Sequence, residues 1–237
     1  MKYCKTPFVK TLLLFDIDGT LLFSNTVDSR CFASSYESVF GYAFPTIDWR
    51  QYPHVTDHVI FRTVFTRHFN RVATAEERQL FEDHYVNQLQ HKRREQPEEF
   101  REVPGAAACW RHLAQDQQFV MGIATGGWRA PAQIKLEHVG IDPIPTYAGY
   151  ANDMEQRDHI LQSAIDLAKA EHEISSIVYI GDAIWDVTTT RQMNLPLIGI
   201  RRSGDHEVLL KEGVKVVLSD YQDVSVFYEA VDLVLRD

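Results

Sequence analysis

Five short, continuously apolar runs recur along the chain: residues 11–17, 119–127 ("FVMGIATGG"), 176–183 ("SIVYIGDA"), 195–200 ("LPLIGI") and 214–220 ("VKVVLSD"). A strand without a polar face must be covered on both sides, which is the situation of strands in a parallel sheet. The intervening stretches have helical character. Residues 105–116 precede the second run, 130–140 follow it with Gly140 placed as a stop, and 157–171 put Ile160, Ala164, Leu167 and Ala168 on one face. Strand–helix alternation of this kind predicts an α/β fold, a Rossmann-like parallel sheet with helices on both faces.

Residues 26 to about 96 break the alternation. "VDSRCFASSYESVFG", "HVIFRTVFTRHF" and "TAEERQLFEDHYVNQLQHKRRE" read as helices with no buried strand between them. The expected organisation is a catalytic core built from 1–24 and 100–237, with a small helical cap at 25–99. The connections fall near Phe23–Thr26 and Pro97–Pro104. The basic run His91-Lys92-Arg93-Arg94 closes the third of these helices, where cations are favoured by the macrodipole and a solvated helix end is the simplest reading.

Parallel sheets bind ligands outside the carboxyl ends of their strands, and chemistry-bearing residues gather there. The first run ends on Asp16 and Asp18, two residues apart and so directed to one side, followed by Gly19 for a sharp exit and Thr20 to fasten the turn. The second ends on Thr125 beside Gly126 and Gly127, whose backbone N–H groups are open to an anion. The third ends on Asp182, with Asp186 four residues on. Carboxylates converging on one sheet edge repel one another unless a cation sits among them, and an all-oxygen site suits Mg²⁺.

The order Asp-x-Asp-Gly-Thr, strand-end Thr, basic residue and Gly-Asp-x-x-x-Asp resembles the haloacid dehalogenase (HAD) superfamily, in the subgroup with a helical cap after the first motif. The likeness covers essentially the whole chain, including "VPG" at 103–105 where the chain re-enters the core. It implies that Asp16 is a nucleophile forming an aspartyl-phosphate, and that Asp18 is the acid and base acting on leaving group and water. It further implies that Thr125 grips phosphoryl oxygens, and that Asp16, the Asp18 carbonyl, Asp182 and Asp186 form the metal site. The family's basic residue is usually a lysine. Here Arg157, heading the 157–171 helix, is preferred over Lys135, whose mid-helix position suggests a solvated side chain.

Members of the family that release halide or cleave phosphonates lack the second acid, so Asp18 points to a phosphate ester. The expected activity is Mg²⁺-dependent hydrolysis of a small phosphorylated metabolite. A sugar phosphomutase is the alternative, and a non-catalytic phosphate-sensing or scaffold protein a second. A mutase needs cations in the cap to hold a second phosphate, and "DWRQYPHVTDHVIF" offers only Arg50 and Arg62. The stretch "YPHVTD" resembles a cap loop that often reads Gly-x-Thr-Asp, which makes Tyr52, His54, Thr56 and Asp57 candidate substrate-binding residues, although Thr56-Asp57 also reads as a plain helix cap. Trp128 can wall the pocket or simply pack, and Arg201 and Arg202 can face the site or solvent.

Composition narrows the setting. Lys and Arg number 24 against 33 Asp and Glu, a formal net charge of −9, which disfavours nucleic acid and anionic membranes as partners. Cys4, Cys31 and Cys109 are scattered and odd in number, as in a reducing, cytoplasmic setting. The longest early apolar run, Leu12–Phe15, is far too short for a membrane span.

Overall fold

The structure, a computed structural model, describes residues 9–142, 145–152 and 154–236. Cys4 lies outside the described residues; Cys31 and Cys109 are buried free thiols. At the centre is β1 (Lys10–Phe15), flanked by β4 (Phe119–Ala124) and β6 (Ile174–Gly181). The six-stranded sheet is completed by β5 (Tyr147–Gly149), β7 (Leu197–Ile200) and β8 (Val216–Leu218), in the order β5-β4-β1-β6-β7-β8, every pairing parallel. Leu13 of β1 lies level with Met121 of β4 and Val178 of β6. From β1 the chain goes outward through β4 and β5 on one side, then returns to β6 on the other. That reversal opens a crevice at the carboxyl ends of β1, β4 and β6.

Helices cover the sheet. Phe15 meets Trp110 of α4 (Ala106–Gln115) edge-on at 5.1 Å and stacks with Phe227 of α9 (Val224–Leu235) at 6.1 Å, so these two helices share a face. The α6 helix (Arg157–Glu171) lies along β1, β4 and β5 and beside α7 (Ile184–Met193). Its inward residues include Ile160, Leu161, Ala164, Ile165 and Ala168. Leu167, expected on that face, is 44% exposed: with Leu161 and Ile165 buried, the stripe is rotated away from it. The α5 helix (Arg129–His138) and the single turn α8 (Glu207–Leu210) complete the core. Strand β5 was not legible as an apolar run because it is a three-residue edge strand, its first two residues only half-buried.

The insertion contains α1 (Asn25–Phe40), α2 (Asp57–Phe69) and α3 (Ala75–Glu95). It leaves and rejoins the core through β2 (Leu22–Phe23) and β3 (Arg101–Glu102), which pair antiparallel. The three helices are held by aromatic rings: Phe81 lies 4.9 Å from both Phe32 and Phe61. Trp128, at the start of α5 in the core, reaches into the same cluster at 5.7 Å from Phe81. Trp128 is therefore a packing residue, fully buried. The basic run in α3 behaves as a helix end, with Arg93 donating to the Ile134 carbonyl at 2.9 Å and pairing with Glu137.

Candidate active site

Asp16, just past β1, and Asp182, just past β6, meet at the crevice, and Asp186 rises to them from the first turn of α7. Carboxylate oxygens of all three lie within 4.8 Å of one another, and all three residues are buried. Glycine at position 19 is required twice over: its φ is +84°, and a Cβ there would collide with the Asp182 carboxylate. The Thr20 hydroxyl, expected to fasten this turn, is buried without a hydrogen-bond partner; the turn is held instead by Gly19 N–H donating to the Leu22 carbonyl at 2.8 Å.

Burial and the neighbouring Asp186 carboxylate push Asp16 up to about 7, with Arg157 acting against the shift. Asp182 is raised well above the usual carboxylate range for the same reasons: burial first, then Asp186 and Asp16. Such a trio holds protons or a cation, and its oxygen-only donors suit a hard divalent ion.

Asp186 is already heavily used by the protein. One carboxylate oxygen accepts the N–H groups of Asp182 and Ala183 at 3.1 and 3.0 Å, and the other accepts Arg157 Nη2 at 2.5 Å. Arg157 Nη2 lies 3.8 Å from Asp16 Oδ1 and donates to Tyr179 Oη at 3.2 Å. Gly126 makes room for this guanidinium: a Cβ there would stand 2.5 Å from both Arg157 Nη1 and the Val55 carbonyl. Thr125 Oγ1 accepts the Gly127 N–H at 3.2 Å, which closes the turn after β4.

Asp18 stands apart from the trio. Its carboxylate accepts Ser24 Oγ on one oxygen and Lys135 Nζ at 2.7 Å on the other. The Asp18 side chain is thus engaged away from the three clustered carboxylates. Lys135 corrects the sequence reading: it is not solvated but 2% exposed, bridging Asp18 and, at 2.6 Å, Asp28 of α1. Burial acts against its charge, yet Asp18 and Asp28 outweigh burial and keep the ammonium protonated well above its ordinary range. Tyr85 Oη of α3 donates to the same Asp28 at 2.5 Å. The sequence hint was slight: Lys135 lies on the buried stripe of α5 with Ala132 and Leu136, but nothing local shows which partners would offset its burial. Likewise Ser24 and Asp28 are four apart at the start of α1, one helical turn.

A cavity of about 80 Å³ joins Asp16, Asp18, Thr125, Gly126, Gly127, Lys135 and Arg157 to the cap residues Asn25, Asp28, Thr56 and Asp57. Thr56 contributes at its edge, but its hydroxyl is spent as the α2 cap, accepting Val59 N–H at 3.3 Å and donating to the Glu155 carbonyl at 3.2 Å. Asp57 keeps part of its surface open while its carboxylate sits deep, accepting the Trp128 N–H at 2.8 Å; burial, with Asp28 nearby, pushes it up to about 8. His54 is not in this cavity. It is exposed and lines a neighbouring one with Tyr52, whose hydroxyl donates to the Thr46 carbonyl. Arg201 faces the site, 3.6 Å from Asp182, whereas Arg202 lies over the Phe23 ring at 4.0 Å.

Fold and site together define a Rossmann-like α/β hydrolase whose carboxylates gather at the sheet's switch point. The chain belongs to the haloacid dehalogenase-like hydrolase family, whose model matches residues 13–200. It is 27% identical over 225 residues to glycerol-1-phosphate phosphohydrolase 2 of Saccharomyces cerevisiae, covering 90% of this chain and 83% of the relative. Among solved structures, its fold is similar to a hydrolase from Pseudomonas syringae (TM-score 0.66, 20% identity, 94% of this chain and 99% of that one). A Bacteroides vulgatus protein predicted to be a β-phosphoglucomutase has the same fold (TM-score 0.66, 16% identity, 98% and 93% covered). Among the described residues no helix is long and apolar enough to cross a membrane.

Proposed function

We propose that this protein is a Mg²⁺-dependent phosphatase acting on small phosphate monoesters through an aspartyl-phosphate on Asp16, with residues 25–99 as a cap over a core of 1–24 and 100–237. The observation that carries the reading is the convergence of the Asp16, Asp182 and Asp186 oxygens beside Arg157. Asp16, Asp182 and the Asp18 carbonyl would hold the metal, and Asp186 would support them by fixing the Asp182 backbone. Bound Mg²⁺ would neutralise charge on the phosphoryl oxygens.

The remaining chemistry belongs to the chain. The Asp16 carboxylate attacks phosphorus, and the bond from phosphorus to the alcohol oxygen breaks. Asp18 gives its proton to the leaving alkoxide, then takes one from the water that attacks the aspartyl-phosphate; Ser24 and Lys135 hold its carboxyl in place. Arg157 and Thr125 steady the phosphoryl oxygens, and Gly126 and Gly127 let them approach. The cavity and the yeast relative both favour a small ester, glycerol 1-phosphate being the first to test.

A phosphomutase would need free cap cations for a second phosphate. Arg50 is paired with Asp48 at 2.7 Å and Arg62 with Glu155, which favours hydrolysis. The test is incubation with glycerol 1-phosphate and with sugar phosphates, following free phosphate and positional isomers separately. Stoichiometric phosphate, abolished by EDTA and not restored by Ca²⁺, is expected. Isomers without phosphate would establish the mutase, and full turnover in EDTA would overturn the metal assignment.

A further inference from the structure

Beyond the phosphoryl subsite the cavity is walled by Asn25 and Asp28 of α1, Asp57 of α2, and the rings of Phe32 and Trp49. Among its described lining residues the cations are Lys135 and Arg157, and both are committed. Lys135 lies between two carboxylates, at 2.7 Å from Asp18 and 2.6 Å from Asp28, and is almost wholly buried. Arg157 is held at 2.5 Å by Asp186 and stands over Asp16. Lys135 is therefore already matched by carboxylates at the end where the alcohol must lie, and offers no spare positive charge there.

From this geometry we propose that the site selects phosphate esters whose alcohol half carries no negative charge, and that the Asp28–Lys135 pair enforces the choice. The inference rests on the phosphatase reading and deepens it. A neutral, hydroxylated alcohol finds acceptors in Asp28 and Asn25 and an apolar wall in Phe32 and Trp49. A carboxylate or second phosphate in the same place faces the Asp28 carboxylate, and no uncommitted cation stands among the described lining residues to receive it. Burying a charge without a counter-charge is costly, and like charges placed together discriminate strongly between otherwise similar ligands. The rejecting element is the carboxylate, because it cancels the lysine that would otherwise attract an anion.

Two matched pairs test this: ethylene glycol phosphate against 2-phosphoglycolate, and glycerol 1-phosphate against 3-phosphoglycerate. Each pair exchanges a CH₂OH for a carboxylate at nearly constant size. With Mg²⁺ present, kcat/KM is expected to be at least about tenfold higher for the neutral member of each pair. A smaller ratio in a protein that does hydrolyse the neutral esters overturns the inference and leaves the phosphatase reading standing. Release of phosphate from no ester in either pair, nor from the sugar phosphates, overturns the phosphatase reading itself. The variant Asp28→Asn leaves Lys135 with one carboxylate, so the ratio should narrow several-fold even where absolute rates fall. A ratio unchanged in Asp28→Asn removes the pair as its cause, and the wild-type pairs decide the selectivity whether or not the variant folds.

Discussion

At the scale of single residues, this site is a set of charges that cannot all be satisfied by the protein alone. Asp16 is crowded by Asp186 and shut from water, and one guanidinium at 3.8 Å does not offset both effects. Replacing it with Asn keeps the shape while removing the nucleophile and a metal ligand. Asp16→Asn is expected to lower kcat by at least about a thousandfold with an unchanged circular dichroism spectrum. Phosphate release at the wild-type rate would remove Asp16 from the mechanism. Asp57 makes a different prediction. Its carboxyl ionises near 8 when folded and near about 4 when unfolded. Between those values the folded chain holds a proton that the unfolded chain has lost, so each step up in pH favours unfolding. Asp57→Asn removes that contribution, and its amide oxygen can still accept the Trp128 N–H. The variant's gain in Tm over wild type should grow from pH 4 to pH 8 and level off above; thermal melts across that range would show it.

At the scale of elements, the cap is positioned by a few local devices. The Thr56 hydroxyl caps α2 and also reaches across to the Glu155 carbonyl of the core. Thr56→Ala should cost about 1 kcal/mol in urea denaturation, the ordinary cost of losing a helix cap. The aromatic cluster carries far more. Phe81, fully buried between Phe32, Phe61 and Trp128, ties α3 to α1, α2 and the start of α5. Phe81→Ala is expected to cost about 3–5 kcal/mol by the same measurement, since large aromatic deletions leave a cavity that the surroundings fill only partly. The start of α1 links stability to chemistry: Ser24 and Asp28, one turn apart, both converge on the Asp18–Lys135 pair.

At the scale of the whole molecule, the sheet and α7 supply the clustered carboxylates and the α1–α3 insertion lines the same cavity. Metal binding should couple to both. A divalent ion held by the folded state alone raises Tm in proportion to the logarithm of its concentration. Because Asp16 must lose its proton to ligate, affinity should rise with pH through about 7. Mg²⁺ is expected to bind at least about tenfold tighter at pH 8 than at pH 6 from the Asp16 proton alone, with Asp182, also raised, adding to the change. Titration calorimetry in two buffers of different ionisation enthalpy would count the protons displaced, and a pH-independent affinity would exclude Asp16 as a titrating ligand.

The sequence by itself determined the sheet and the direction of its chemistry. Continuous apolar runs have no solvated face, so their strands had to lie in a sheet covered by helices on both sides, with Asp16, Thr125 and Asp182 at the carboxyl ends; that β1 lies between β4 and β6 was decided by the fold. Local patterns carried that much because strand period and turn chemistry act between near neighbours in the chain. Only the tertiary structure decided which charges meet. Lys135 and Asp18 are 117 residues apart, and Arg157 and Asp186 are 29 apart. A lysine inside a helical stripe reads as solvated until the partners that offset its burial are known, and those partners arrive from α1 and from the turn after β1. The same holds for His54, whose place in the cap loop suggested substrate contact but whose side chain the fold turns toward a neighbouring cavity. Burial of charge depends on long-range pairing, and long-range pairing is what the folded chain supplies.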